Sequence, residues 1–284
     1  MSDRSYNIPT LPDFEPGSVW LVGAGPGDPG LLSLLGCHAL STADDVVYDA
    51  LVGEGILALA GANAKLHYAG KRGGKPSANQ ADISDKLISL ARAGRKVLRL
   101  KGGDPFIFGR GGEEALALAA AGVPFRLVPG ITAAVAGLAY AGIPITDRRV
   151  NSAVTLITGH ESGGGPPEGL DWSALSSGAP VLILYMALRH LAWIAERLMA
   201  AGRAGNTAVT LVAKATLADQ QIVETTLECA AEDAAKAHLE APSIIAVGDV
   251  VGLRAALDPA ATPEARARAA LKFLASRDAE EAVR

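Results

Sequence analysis

Lys101-Gly102-Gly103-Asp104 sets a cation, two residues without side chains and a carboxylate side by side, directly after the apolar run Val97-Leu98-Arg99-Leu100. Adjacent glycines let a backbone approach a ligand that a Cβ would exclude, and a carboxylate beside them can accept hydrogen bonds from that ligand. Taken alone, Gly-Gly-Asp-Pro also suits an ordinary β-turn. The pattern recurs, however. Gly23-Ala24-Gly25-Pro26-Gly27-Asp28 follows Val19–Val22, and Asp49 follows Val46-Val47-Tyr48. Gly70-Lys71-Arg72-Gly73-Gly74-Lys75 follows Leu66–Ala69, and Pro129-Gly130-Ile131-Thr132 closes a run over 124–128. Glycines and charges thus gather at the ends of five apolar runs. Seven cations fall near these ends or just after them: Lys71, Arg72, Lys75, Lys101, Arg110, Arg148 and Arg149. In a chain of net charge −4 that clustering points to an anionic substrate. His160, after Thr158-Gly159, either lines the same cleft or serves the fold.

Common cofactor motifs fall short. The loop 23–28 has two of the three fingerprint glycines of a dinucleotide site, but Asp28 stands where a small residue is needed and would repel a pyrophosphate. This disfavours a nicotinamide-dependent oxidoreductase. Gly73-Gly74-Lys75-Pro76-Ser77 lacks the spacing of a phosphate-binding P-loop. The five histidines are scattered, and Cys37 and Cys229 are far apart. No metal site is expected, and a reduced, cytoplasmic setting fits. No Ser-His-Asp arrangement stands out. Net acidity gives no reason to expect nucleic acid or an anionic membrane surface as a partner. The uncharged stretch from Leu127 to Thr146 approaches the length of a membrane span. Its prolines, glycines and alanines instead predict a short helix in a protein core. Asp3 and Arg4 precede no apolar run, so no signal peptide is expected.

The elements that must position these residues alternate regularly. Strands are predicted near 19–22, 46–48, 66–69, 96–100 and 124–128. Helices are predicted from Asp28 to about Leu40, near 53–61, and over 80–93, 113–121 and 131–141. Such alternation predicts a mostly parallel sheet covered on both faces. Right-handed crossovers then bring the carboxyl ends of its strands to one edge. Beyond Asp147 the pattern changes. Strands are predicted over 153–158, 181–185, 207–213, 220–226 and 243–247, with helices over 188–201 and 227–237. The short link between 207–213 and 220–226 predicts an antiparallel hairpin, hence a mixed second sheet. The expected organisation is an arm over 1–16, an α/β domain over 17–147, a second over 148–255 and a helical tail over 256–284. A length of 284 residues, about half of them apolar, allows two such domains.

Together the runs VGAGPGD (22–28), YD (48–49), GKR (70–72), RLKGGDPFIFGRGG (99–112), VPGIT (128–132), AGIP (141–144) and TGH (158–160) resemble the tetrapyrrole methylases. The resemblance covers roughly residues 18–255 in motif order. It is strongest to stand-alone members that act on uroporphyrinogen III. It implies two α/β domains, a homodimer and S-adenosylmethionine as methyl donor, with S-adenosylhomocysteine as product and no metal. The implied reaction methylates two rings of uroporphyrinogen III, through precorrin-1 to precorrin-2, for cobalamin or sirohaem. Motif by motif it implies cofactor contacts at Pro26, Gly102, Gly103, Asp104, Ile107, Thr132, Ala133, Met186 and Ala215. It implies that Asp49 accepts a proton and Lys71 donates one. The expected substrate contacts are Arg72, Lys75, Lys101, Arg110, Arg148, Arg149 and His160, since a ring bearing eight carboxylates suits cationic partners. The chain departs from the family at Asp147, where His is usual, and at Lys214-Ala215, where Asn-Gly is usual. The competing readings are a methylase acting later on the corrin ring and a non-catalytic tetrapyrrole or nucleotide binder.

Overall fold

Period-two alternation decides how the first sheet is layered. The computed structural model describes residues 10–70, 80–161 and 163–281. Strands β1 (Val19–Gly23), β2 (Asp45–Tyr48), β3 (Lys65–Tyr68), β4 (Val97–Lys101) and β5 (Phe125–Val128) form one sheet in the order β3-β2-β4-β1-β5. Every pairing in it is parallel. On one face Trp20, Val22, Val46, Leu98 and Leu100 pack with Ala39 and Leu40 of helix α1 (Leu34–Thr42) and Ile56 of α2 (Glu54–Leu57). On the other, Val19, Leu21, Val47 and Val97 pack with Leu87 of α3 (Gln80–Arg92) and Leu118 of α4 (Gly111–Ala120). Burying a side chain as fully as Leu87 or Leu118 stabilises by about 1.5–3 kcal/mol. The central strand β4 and its neighbour β1 are buried along their whole length.

The chain divides after Thr132 into two compact units. The second begins with α5 (Ala133–Tyr140), whose small face of Ala134, Ala136 and Gly137 is buried. Its sheet runs β6 (Thr155–Thr158), β7 (Leu182–Tyr185), β10 (Ser243–Val247), β8 (Ala208–Ala213) and β9 (Gln221–Thr226) in spatial order. Only β6 and β7 are parallel among these neighbours. The predicted hairpin is β8–β9, with Val209 opposite Thr225 and Leu211 opposite Val223. Helices α6 (Trp172–Gly178), α7 (Leu191–Ala200) and α8 (Ala230–Lys236) cover one face, where Leu184, Leu211 and Ile245 meet Ile194 and Leu198. Two more helices, α9 (Arg254–Leu257) and α10 (Pro263–Glu281), follow. Among the described residues no helix is long and apolar enough to cross a membrane.

Two local expectations need correction. The helix predicted from Asp28 to Leu40 is broken. Asp28 caps only a short 3₁₀ turn at Pro29–Leu31, and Ser33, in extended conformation, starts α1 by accepting a hydrogen bond from Gly36 N at 3.0 Å. A serine hydroxyl bonded to the backbone competes with helix continuation, so it acts as a cap. Helix α6 was not predicted; Asp171 caps it by accepting from Ala174 N at 3.0 Å.

At the amino end of the first sheet Asp45 is 2% exposed, held by His67 Nε2 and Arg95 Nε at 2.7 Å each. Burial pulls its carboxyl pKa upward, but hydrogen bonds from His67 and Arg95, together with their charges, outweigh it and hold the value below the usual carboxylate range. A depressed folded-state pKa gives stability that is present above the unfolded value and lost as pH falls through the folded one. Denaturant midpoints are therefore expected to drop as the pH is taken below about 4. In Asp45→Asn that acid-linked loss should be visibly smaller. A variant midpoint that falls in parallel with the wild type would assign the loss to other groups.

Candidate active site

Three loops meet at the carboxyl edge of the parallel sheet, and glycine is what allows them to. Gly103 N donates to Gly25 O at 2.7 Å and Gly25 N donates to Gly103 O at 3.2 Å, tying the loop after β1 to the loop after β4. Gly25 and Gly103 both have positive φ, 75° and 67°. A Cβ on Gly23 would lie 2.5 Å from Gly130 Cα and 2.6 Å from Gly103 O, and one on Gly102 would meet Leu51 Cβ at 2.5 Å. At Gly23 and Gly102 a Cβ is thus excluded by the protein's own loops. Asp104 completes the knot. Its Oδ2 accepts from Gly130 N at 3.0 Å and its Oδ1 from Phe106 N at 2.8 Å. Pro26, Gly102, Gly103, Asp104, Ile107 and Thr132 emerge together on this edge, each partly exposed. Each Asp104 oxygen keeps a second lone pair. The edge thus offers a rigid ledge of backbone groups and acceptors, which fits a polar cofactor such as S-adenosylmethionine.

Asp49 stands on the same edge, at the end of β2. Its Oδ1 accepts from Leu51 N at 3.0 Å, and its Oδ2 lies 3.8 Å from Arg99 Nη2. Behind it runs a buried charge cluster. Arg99 and Lys101 alternate on β4 toward α4, where Glu114 is fully buried. Glu114 Oε1 accepts from Arg99 Nε at 3.0 Å, Lys101 Nζ at 3.1 Å and Gln80 Nε2 at 2.9 Å. Burial, and then the Arg99 charge, lower the Lys101 pKa against the pull of Glu114. The expected rim cation Lys101 is thus 4% exposed and engaged inward. Arg110 is exposed and bidentate to Glu113, at 2.9 and 2.7 Å. Lys71, Arg72 and Lys75 lie outside the described residues.

The other expected site residues belong to the second unit. Ala133 opens α5. Ala215 is buried, and a Cβ added to Gly137 of that helix would meet its Cβ at 2.8 Å. Met186 is 42% exposed at φ 53°, just past β7. Arg148 and Arg149 are exposed, with Arg149 N donating to Asp147 Oδ1 at 3.0 Å. His160 Nδ1 lies 2.9 Å from Glu161 O. Lys214 and Thr216, either side of Ala215, have φ of 50° and 66°. These values are costly for side chains with a Cβ; the Asn expected at 214 from the family would tolerate the first better than Lys214 does, whereas the Gly expected at 215 would not relieve Thr216. Among the described residues six non-glycines have positive φ, and five (Phe108, Arg110, Met186, Lys214 and Thr216) lie in or beside the predicted site segments. Backbone strain of this kind concentrates at functional sites. No group of three His, Cys, Asp or Glu among the described residues is placed to hold a metal ion.

The comparisons agree with one another. Residues 18–231 match the family of tetrapyrrole (corrin/porphyrin) methylases. The chain is 58% identical over 248 residues to a uroporphyrinogen-III C-methyltransferase of Sinorhizobium, covering 87% of this chain and 89% of the relative. It is 45% identical to an S-adenosyl-L-methionine-dependent uroporphyrinogen III methyltransferase of Methanosarcina barkeri, covering 84% and 93%. Among solved structures, the uroporphyrin-III C-methyltransferase of Thermus thermophilus complexed with S-adenosylhomocysteine is similar with a TM-score of 0.72 and 39% identity, over 82% of this chain and 98% of that one. With its parallel and mixed sheets, its interlocked glycine loops and this match over most of its length, the chain belongs to the tetrapyrrole methylase family.

Proposed function

We propose that this protein is a uroporphyrinogen-III C-methyltransferase. It would transfer methyl groups from S-adenosylmethionine to two ring positions, through precorrin-1 to precorrin-2, for cobalamin or sirohaem. The observation that carries the reading is Asp49 on the same sheet edge as the interlocked loops, with one carboxylate oxygen fixed by Leu51 N and the other facing Arg99. When bound, S-adenosylmethionine supplies a methyl group on a positively charged sulfur, already activated for transfer to a carbon. Pro26, Gly102, Gly103, Asp104, Ile107, Thr132, Ala133, Met186 and Ala215 would hold it. Their task is alignment, the largest lever such a reaction has. A ring carbon that accepts a methyl leaves the ring cationic. Asp49 would offset that charge and accept the proton that is lost; Lys71, as proton donor, would serve the product's tautomerisation, in which a proton given to one ring atom is balanced by one lost from another. Arg72, Lys75, Arg110, Arg148, Arg149 and His160 meet the carboxylates of the substrate, and Lys101 contributes from behind the edge. The working form is a homodimer in the cytoplasm.

Incubation with uroporphyrinogen III and methyl-labelled S-adenosylmethionine tests this reading. Two labels per tetrapyrrole molecule are expected, one on each of two pyrrole rings. Uroporphyrinogen III left unlabelled, while a later corrinoid intermediate is labelled, would move the protein to a later methylation.

A further inference from the structure

Arg99 is an unusual residue to find in the middle of a central parallel strand. It is 3% exposed, and its side chain is almost wholly committed. Nε donates to Glu114 at 3.0 Å, and Nη1 donates to Val47 O at 3.3 Å and Leu100 O at 3.2 Å. A guanidinium has five N–H donors in a fixed plane. With three of them anchored on β2, β4 and α4, the plane cannot swing, and Nη2 is left facing Asp49 Oδ2 at 3.8 Å. That distance is too long for a hydrogen bond yet short for two opposite charges. Glu114 is anchored in turn by Lys101 and Gln80, so the clamp does not depend on one contact. On the far side Leu51 N holds Asp49 Oδ1. The carboxylate is therefore fixed from two directions, while the anchored guanidinium is kept from closing on Oδ2 as a hydrogen-bonded pair.

We propose that Arg99, clamped by the buried Glu114, is a positioning residue for the reaction: it aims the Asp49 carboxylate while leaving Oδ2 uncapped for the substrate. The proposal rests on the reading of Asp49 as the proton acceptor. Arg99 acts through Asp49 and touches neither substrate nor cofactor. Removing it should lower kcat without weakening either ligand. A misplacement of about 1 Å at a reacting group can cost about 10²-fold. Arg99→Gln is accordingly expected to lower kcat by about 10–10²-fold, with KM for both substrates and S-adenosylhomocysteine affinity close to wild type. Arg99→Lys, which keeps a cation on the same strand face, should recover part of the loss.

The deciding experiment is a double-mutant cycle with Asp49→Asn. If Arg99 acts through Asp49, adding Arg99→Gln to Asp49→Asn costs little more. A purely structural role would cost the same in either background, and full additivity overturns the proposal. Should Arg99→Gln fail to give a cooperative thermal transition, the same cycle is run with Arg99→Lys. Asp49→Asn acting alone separates the two ideas. Wild-type turnover in that variant overturns the reading of Asp49 and this inference with it, whereas an impaired Asp49→Asn with additive Arg99 effects overturns only the role of Arg99.

Discussion

Asp49→Asn is expected to lower turnover by about 10²–10⁴-fold, the usual loss for a positioned general base, while S-adenosylhomocysteine binds as before. The substitution is nearly isosteric, and its geometry should survive. The amide oxygen of Asn can accept from Leu51 N as Asp49 Oδ1 does now at 3.0 Å, so the turn after β2 keeps its hydrogen bond. What disappears is the negative charge facing Arg99 and the basicity that takes up a proton. The ledge made by the Gly25–Gly103 pairing and the Asp104–Gly130 hydrogen bond shares no hydrogen bond with Asp49. Single-turnover methyl transfer and titration calorimetry on the same preparation check both halves. Turnover close to wild type would remove Asp49 from the mechanism. Weakened S-adenosylhomocysteine binding would show that the substitution disturbs the edge as a whole.

Much of this arrangement is legible in the residues. Strand–helix alternation over 19–141 gives the parallel sheet, because each apolar run is too short for a helix and is followed by turn chemistry. The short link after Ala213 gives the β8–β9 hairpin for the same reason. The charge cluster behind Asp49 was harder to see. Val97-Leu98-Arg99-Leu100 reads as an apolar run with one tolerated cation. Yet period two puts Val97, Arg99 and Lys101 on one face of β4, and that face is covered by α3 and α4. Two cations beneath a helix require a buried counter-charge, and Glu114, in the first turn of α4, is on the right side. The signal was present, but it needed the sheet order and the helix placement together. The glycines were legible only in part. They mark the edge correctly, but Gly23, Gly102 and Gly130 crowd loop against loop, and contact between segments far apart in sequence has no local signature. The break at Ser33 was missed because serine is tolerated inside helices and competes with them only when its hydroxyl finds a backbone partner.

Gly130→Ala should be among the most damaging single-methyl changes in the first unit. Its new Cβ would run into Gly103 O, and Gly23 C and Cα would each lie 2.7 Å away. All of these are backbone atoms, so no side chain can turn aside. Gly103 O is also the acceptor for Gly25 N, and Gly130 N donates to Asp104 Oδ2 at 3.0 Å. Relief of the clash must therefore separate at least two of the three loops that form the ledge. Overpacking of this kind costs about 1–3 kcal/mol, and backbone-on-backbone contact argues for the upper end. The thermal midpoint should fall by about 5–10 °C. S-adenosylhomocysteine affinity should fall by about tenfold or more, because the ledge opens where the cofactor would lie; tenfold corresponds to about 1.4 kcal/mol. Gly112→Ala is the control. Gly112 lies in α4, and a Cβ there meets nothing within 4 Å. Alanine suits a helix better than glycine by about 0.5–1 kcal/mol, so that midpoint should hold or rise. Equal melting of the two variants would show that the loops yield to a methyl group. Loss of stability in Gly130→Ala with unchanged affinity would show that the interlocked loops brace the sheet and leave the cofactor to other residues.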